Sequence, residues 1–266
     1  MTPAPPRRYH PIAPAPSIIH TYPAMRDRPS TIATDASSDG ARDLRILAMW
    51  RRINRCRVCP TITPWRKFPL GRRGTARFGL MILGEAPGRV SLENGRPFSN
   101  PRNLVIRRAI TRAVAPRLVE AEELFYFSDT VKCWPSSPSG ANRSPRAAEN
   151  AVCVARHLLA ELDLVRPRLI IAFGARAAAA ALGHPVKLAE HHGRPIMRDA
   201  PAQPRVIPEM PAPVRVIPMM HPSTINIAGM RRVGIRSLDD YELQLATLLR
   251  AELERAGLAP SATTTS

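Results

Sequence analysis

The sequence predicts an α/β fold: a three-layer sandwich with a short, mainly parallel four-stranded sheet flanked by helices. Three observations predict it. Four short apolar runs, at residues 78–83, 124–131, 168–173 and 214–220, have the length and composition of buried strands. Segments of helical periodicity surround them, and strands alternating with helices are the pattern of a parallel sheet covered on both faces. Polar or Gly-rich loops follow the strands directly, at residues 84–88 (GEAPG), 129–133 and 221–223 (HPS). In such sheets ligands bind beyond the carboxyl ends of the strands.

Taken in order, residues 41–55 show apolar positions at helical spacing beside a dense Arg face, and run into Cys56-Arg-Val-Cys59. A basic loop leads to the first strand, which ends in the Gly-rich turn. Residues 103–115 read as a helix, and the second strand ends near Lys132 and Cys133. At 142–145 (NRSP) Ser144 is placed to cap a helix and Pro145 fits its first turn, with 147–164 continuing it. The third strand passes through Gly174 into an Ala-rich helix ending at Leu182. Residues 186–212 read as irregular and Pro-rich, and 239–256 as a terminal amphipathic helix. Residues 1–40 and 257–266 cannot bury enough apolar surface to offset their ordering entropy and are expected to be disordered tails. That leaves 41–256 as one domain.

The formal net charge is +18, of which residues 1–40 contribute only +1. The folded part therefore carries a polyanion-binding signature, since neutralising phosphates releases counterions. A preference for Arg over Lys would not by itself unbalance Arg against Asp plus Glu. No run is long and apolar enough to span a bilayer, and the N-terminus lacks the apolar region of a secretory signal. A cytoplasmic, reducing setting is the default. The four cysteines then read as metal ligands or buried free thiols rather than disulfides. One CxxC with two further cysteines suits zinc or a [4Fe–4S] cluster, and spacing alone does not choose between them.

GEAPG at 84–88, GRPF at 95–98, VKC at 131–133, NRSP at 142–145, Cys153 and HPS at 221–223 occur in that order. This set resembles the iron–sulfur (family 4) branch of the uracil-DNA glycosylases, over roughly residues 45–250. The resemblance implies a [4Fe–4S] cluster on Cys56, Cys59, Cys133 and Cys153, stapling the fold rather than acting as a redox catalyst. It implies a monofunctional glycosylase that hydrolyses the N-glycosidic bond of uracil, or of a related deaminated or modified base, and so initiates base excision repair. DNA containing a damaged base is the implied partner. A cytoplasmic, nucleoid-associated monomer without membrane attachment is the expectation.

Cutting that bond requires a flipped base, charge stabilisation on the leaving base and a water at the sugar. By resemblance, Phe98 stacks on the base, which an aromatic face does for about 1–3 kcal/mol. His221 donates to the base oxygen that gains charge, following oxyanion-hole logic. Glu85 positions or activates the water, and Gly84 and Ala86 supply close backbone beside the base. Ser223, Ile225 or Ile227, Arg231 and Arg232 fit a minor-groove wedge loop with its phosphate contacts. Lys132 and Arg143 are further candidates for phosphate.

The sequence departs from the family where an Asn reads the uracil edge, four residues before the third cysteine. Here that residue is Asp129, which as a carboxylate can only accept. An ionised Asp suits an amino group better, whereas a buried one with a raised pKa still donates. The Ala at position 86 stands where the best-known branch of the superfamily has an Asp. Two alternatives follow: a glycosylase with non-uracil specificity, and a glycosylase-like iron–sulfur DNA-binding protein without catalysis.

Overall fold

The computed structural model describes residues 36–59, 61–62, 73–198, 213–223 and 226–258. Most of both expected tails therefore lies outside the described residues. Residues 36–40, assigned from sequence to the N-terminal tail, belong instead to the first helix, and Leu258 packs on the core. Among the described residues no helix is long and apolar enough to cross a membrane.

The sheet has five strands rather than the expected four, in the order β2-β1-β3-β5-β4. β1 (Leu80–Gly84), β2 (Tyr126–Asp129), β3 (Leu169–Phe173) and β5 (Val214–Met219) are parallel to their neighbours. The extra strand, β4 (Ile196–Arg198), pairs antiparallel at the β5 edge. It lies in the stretch read as irregular, because three residues are too few to show a period-2 pattern. Every residue of β1, β2 and β3 is buried, as a sheet covered on both faces requires.

Alternation splits the core into two layers. Leu80, Ile82, Ile171, Phe173, Ile217 and Met219 pack with α3 (Leu104–Val114) and α10 (Leu238–Arg255). Met81, Leu83, Ile170, Ala172 and Val216 pack on the opposite face with α1 (Ala36–Arg55), α6 (Leu159–Val165) and α7 (Ala175–Leu182). The Ser237 hydroxyl caps α10 by accepting from the Asp240 N–H at 3.0 Å, and the Asp240 carboxylate answers from the other side. Short helices α2 (Arg89–Glu93), α4 (Ala121–Leu124), α8 (Leu188–His191) and α9 (Ile227–Arg232) fill connections that the sequence left as loops. The helix expected over 147–164 is α5 (Ala147–Cys153), a π-helical turn (Val154–Leu158), then α6. Ser144 does not cap it. The Glu149 carboxylate does so instead, accepting the Arg146 N–H at 2.7 Å.

A buried polar network ties these layers behind the sheet. Lys132 and Glu161 are both fully buried and ion-paired. The Lys132 ammonium also donates to the Ser128 hydroxyl at 2.7 Å and to the Asp129 carbonyl at 2.5 Å. Glu161 accepts from the Tyr126 and Ser128 hydroxyls, each at 2.7 Å, and the Trp50 indole N–H donates to Tyr126 Oη at 2.7 Å. Burial beside Glu161 pushes the Tyr126 phenol well up, so it remains a donor. The network joins α1, the end of β2 and α6. Removing one charge strands the other in a dry interior. Lys132→Met is expected to cost about 3–5 kcal/mol in urea unfolding, and Lys132→Met with Glu161→Leu to recover most of it. Equal costs for the single and double variants would contradict a paired network.

Candidate active site

The carboxyl ends of β2, β1, β3 and β5 lie side by side. They carry, in that spatial order, Asp129, Glu85, Gly174 and the 219–221 segment leading to His221. The GEAPG loop, the 129–133 segment and HPS are therefore brought to one edge of the sheet, as their strand assignments predict.

Glu85 follows β1 directly. Its backbone carbonyl accepts from the Val131 N–H at 2.9 Å and the Thr130 hydroxyl at 2.8 Å, which fixes the turn to the neighbouring strand end. Its carboxylate is three-quarters buried at the N-terminus of α7. It accepts from the Arg176 backbone N–H at 3.3 Å and from the Arg176 guanidinium at 3.4 Å. Gly174 makes this seat possible, because a Cβ there would stand 2.6 Å from Glu85 Oε1, and its φ of 99° suits only glycine. Gly174 and Arg176 are supports that the sequence reading did not single out. The glycine after the third strand was the one available signal.

Phe98, Gly84 and Asp129 form a second group. Gly84 pairs with Asp129 across β1 and β2. A Cβ on Gly84 would lie 2.6 Å from Asp129 Oδ1 and 2.9 Å from Phe98 Cζ, so both atoms border the same point above the glycine. Phe98 adopts a left-handed φ of 53°, a conformation costing a non-glycine residue about 1–3 kcal/mol and kept only where the surroundings dictate it. Its ring is mostly buried, 5.9 Å from the rings of Phe127 and Phe173. Asp129 is buried and pairs through Oδ2 with the Arg73 guanidinium at 3.4 Å. Burial raises the Asp129 carboxyl pKa, against the opposing pull of Arg73 and Lys132. Asn100 directs its side-chain oxygen to the Asn103 N–H at 3.0 Å and serves the start of α3.

His221 is half-buried at the end of the β5 strand line, and burial pushes its imidazole down to about 4. The turn is tied by the Asn226 amide, which donates to the His221 carbonyl at 2.8 Å and to the Ser223 hydroxyl at 3.2 Å. The preceding residue is held from both sides. The Met220 N–H donates to His192 Nδ1 at 2.9 Å, and the Tyr241 hydroxyl donates to the Met220 carbonyl at 2.6 Å. His192 Nδ1 is thus an acceptor, and its other nitrogen meets Gln244 Oε1 at 3.1 Å, which requires the neutral Nε2–H tautomer. His192 and Tyr241 sit in no motif, and Asn226 lies within the expected wedge loop but was not singled out there.

The four cysteines line one cavity together with Ile53, Val131, Lys132 and His157. The Lys132 N–H donates to Cys153 Sγ at 3.3 Å, and burial pushes that thiol up to about 11. Val131 and the partly buried Cys59 and Ala86 pack in the same cluster, which joins the cavity to the Glu85 loop. Among the described residues, no three His, Cys, Asp or Glu side chains are grouped closely enough to hold one metal ion. A four-iron cluster takes one thiolate per iron and spreads its ligands farther apart than a single ion does.

The residues expected on DNA divide. Lys132 is corrected: it is 1% exposed and committed to Glu161, out of reach of any phosphate. Arg143 is likewise engaged, donating to both oxygens of Glu149 at 2.8 and 2.6 Å, which holds that carboxyl down at about 2. Arg231 and Arg232 are exposed. They lie on α9 rather than on a loop, and Ile227 is the first residue of that helix, 41% exposed. Ser223 is half-buried in the HPS turn, and Ile225 lies outside the described residues.

Fold and site together define an open α/β protein whose acid and imidazole follow strand ends and whose aromatic borders the glycine at the end of β1. Residues 72–237 match the profile of the uracil DNA glycosylase superfamily, and the chain belongs to that superfamily. It is 32% identical over 130 residues to the type-4 uracil-DNA glycosylase of Pyrobaculum aerophilum, covering 49% of this chain and 61% of that protein. It is 27% identical over 192 residues to that of Thermotoga maritima, covering 71% and 88%. With that of Saccharolobus solfataricus it shares 28% over 122 residues, 46% of this chain and 52% of that one. The matched region thus spans between about half and nine-tenths of these relatives.

The His221 imidazole generates a prediction. Its folded pKa lies below the usual value, so it is neutral at neutral pH and weakens folding as pH falls from about 6.5 toward 4. Its NMR ring resonances are expected to stay constant from about pH 7.5 to about 5.5. A titration centred near 6.5 would show that the ring is solvated.

Proposed function

We propose that the chain is a monofunctional DNA glycosylase that hydrolyses the N-glycosidic bond of uracil, or of a closely related deaminated base, at the start of base excision repair. The observation that carries the reading is the sheet edge, where a seated carboxylate and a neutral imidazole follow strand ends and a constrained aromatic borders Gly84 at the end of β1. The extruded base stacks on Phe98 above Gly84. The His221 N–H donates to the base oxygen on which charge gathers as C1′–N1 breaks, and a neutral ring suits this because it needs no proton transfer. Glu85, fixed by Arg176 and the start of α7, orients a water toward the cationic C1′. The water oxygen bonds to C1′ and its proton leaves by way of Glu85.

Cys56, Cys59, Cys133 and Cys153 are proposed to hold a [4Fe–4S] cluster. The donor set fits: four thiols line one cavity, and a cationic cluster offsets the burial that keeps Cys153 protonated. The cluster supplies cross-linking of α1, the β2 end and α5 rather than chemistry at the base. DNA containing the lesion is the proposed partner, approached across exposed Arg231 and Arg232. The buried Asp129 favours a second reading in which the preferred base presents an amino group to it.

The test is base release from duplexes carrying uracil opposite G or A, hypoxanthine, xanthine or 5-hydroxymethyluracil, using anaerobically purified protein. Uracil release is expected, with about four iron atoms per chain. Glu85→Gln and His221→Ala are each expected to lose roughly a hundredfold or more in single-turnover rate. Release of another base alone would move the assignment to the second reading. No release of any base would overturn the proposal.

A further inference from the structure

An ionised carboxylate at the base edge meets uracil with a problem, because it accepts from N3–H but repels the adjacent O4. The structure contains an answer in a residue outside every motif. Arg73 lies just before β1, and its guanidinium stacks 4.1 Å from the Trp50 ring centroid. It donates to the Phe127 carbonyl at 3.5 Å and to Asp129 Oδ2 at 3.4 Å. Both partners of the ion pair are nearly inaccessible, so the charge is not screened by water. Among the described residues no hydrogen bond reaches the other oxygen, Oδ1, which borders the point above Gly84 that Phe98 Cζ also borders. The two oxygens therefore have different tasks.

We propose that Arg73 is a specificity-determining positioning residue: it engages Asp129 Oδ2 and leaves Oδ1 as a single acceptor for the N3–H of the flipped base. The guanidinium charge offsets the repulsion that the carboxylate would exert on O4, so the Arg–Asp pair does the work of one neutral amide. The inference rests on the glycosylase reading above. It further implies that O4 is read weakly, so a base keeping N3–H but altered at position 4 is discriminated less than by an amide.

The test is a double-variant cycle on the full-length protein, with single-turnover uracil release as readout and circular dichroism confirming the fold. Arg73→Met is expected to slow uracil release roughly ten- to a hundredfold. In the Asp129→Asn protein the same substitution is expected to cost about twofold or less, because an amide needs no cation. A purely structural Arg73 would cost the same in both backgrounds, which would overturn the proposal. So would faster release by Arg73→Met, which would mean that a protonated Asp129 donates to O4. If Arg73→Met does not fold, Arg73→Gln removes the charge while keeping a donor to Phe127. If the starting protein releases no uracil, the uracil reading fails by itself. The pair is then judged by affinity for a duplex bearing non-cleavable 2′-fluoro-2′-deoxyuridine. An Arg73 dependence confined to the Asp129 background supports the proposal, and equal or absent dependence overturns it.

Discussion

The buried ion pair of Lys132 and Glu161 is the interaction on which the rest of the molecule depends. A lysine with 1% exposure and a glutamate with none are tolerated only when well partnered, and here the three ammonium protons and both carboxylate oxygens all have partners. The pair gathers elements distant in sequence. Glu161 comes from α6, beyond the π-helical turn that follows Cys153. Lys132 adjoins Cys133. Trp50, which reaches the network through Tyr126, stands on α1 six residues before Cys56, which follows that helix. The segments that carry the cysteines are thus held together by polar contacts as well as by the cavity they line.

The same network reaches the site through the β2 end. Lys132 fixes the Asp129 carbonyl from behind while Arg73 engages the carboxylate, so Asp129 is anchored at both ends. Val131, between them, holds the Glu85 carbonyl and lines the cysteine cavity. The Glu85 loop, the β2 end and the cysteine cavity are therefore joined by direct contacts. A site held in this way keeps its geometry before substrate arrives, which is where electrostatic stabilisation gains its advantage over water.

Much of this was legible in the sequence. Each parallel strand is an apolar run ending in a loop that carries a motif, so strand order aside, the positions of Glu85, Asp129 and His221 followed from pattern alone. That the four cysteines line one cavity accords with the family resemblance, whereas spacing alone had left metal ligands and buried free thiols open. What was not legible is pairing. Nothing local in VKC distinguishes a lysine that meets phosphate from one that meets a glutamate 29 residues later, and Lys132 was misread for that reason. The pairing of the partly exposed Arg143 with Glu149 was equally invisible, since Glu149 looks like an ordinary first-turn acid. Arg73, His192 and Tyr241 carry no motif and acquire meaning only through contacts across the sheet. The edge strand β4 is too short to announce itself.

The most direct test of the central claim is hydrolysis in ¹⁸O-labelled water of a duplex carrying one uracil, with both products weighed by mass spectrometry. The account predicts unlabelled free uracil and an intact strand whose abasic sugar carries one ¹⁸O. A strand cleaved at the abasic site without added alkali, or a sugar trapped on the protein by borohydride, would contradict water as the nucleophile and with it the role assigned to Glu85.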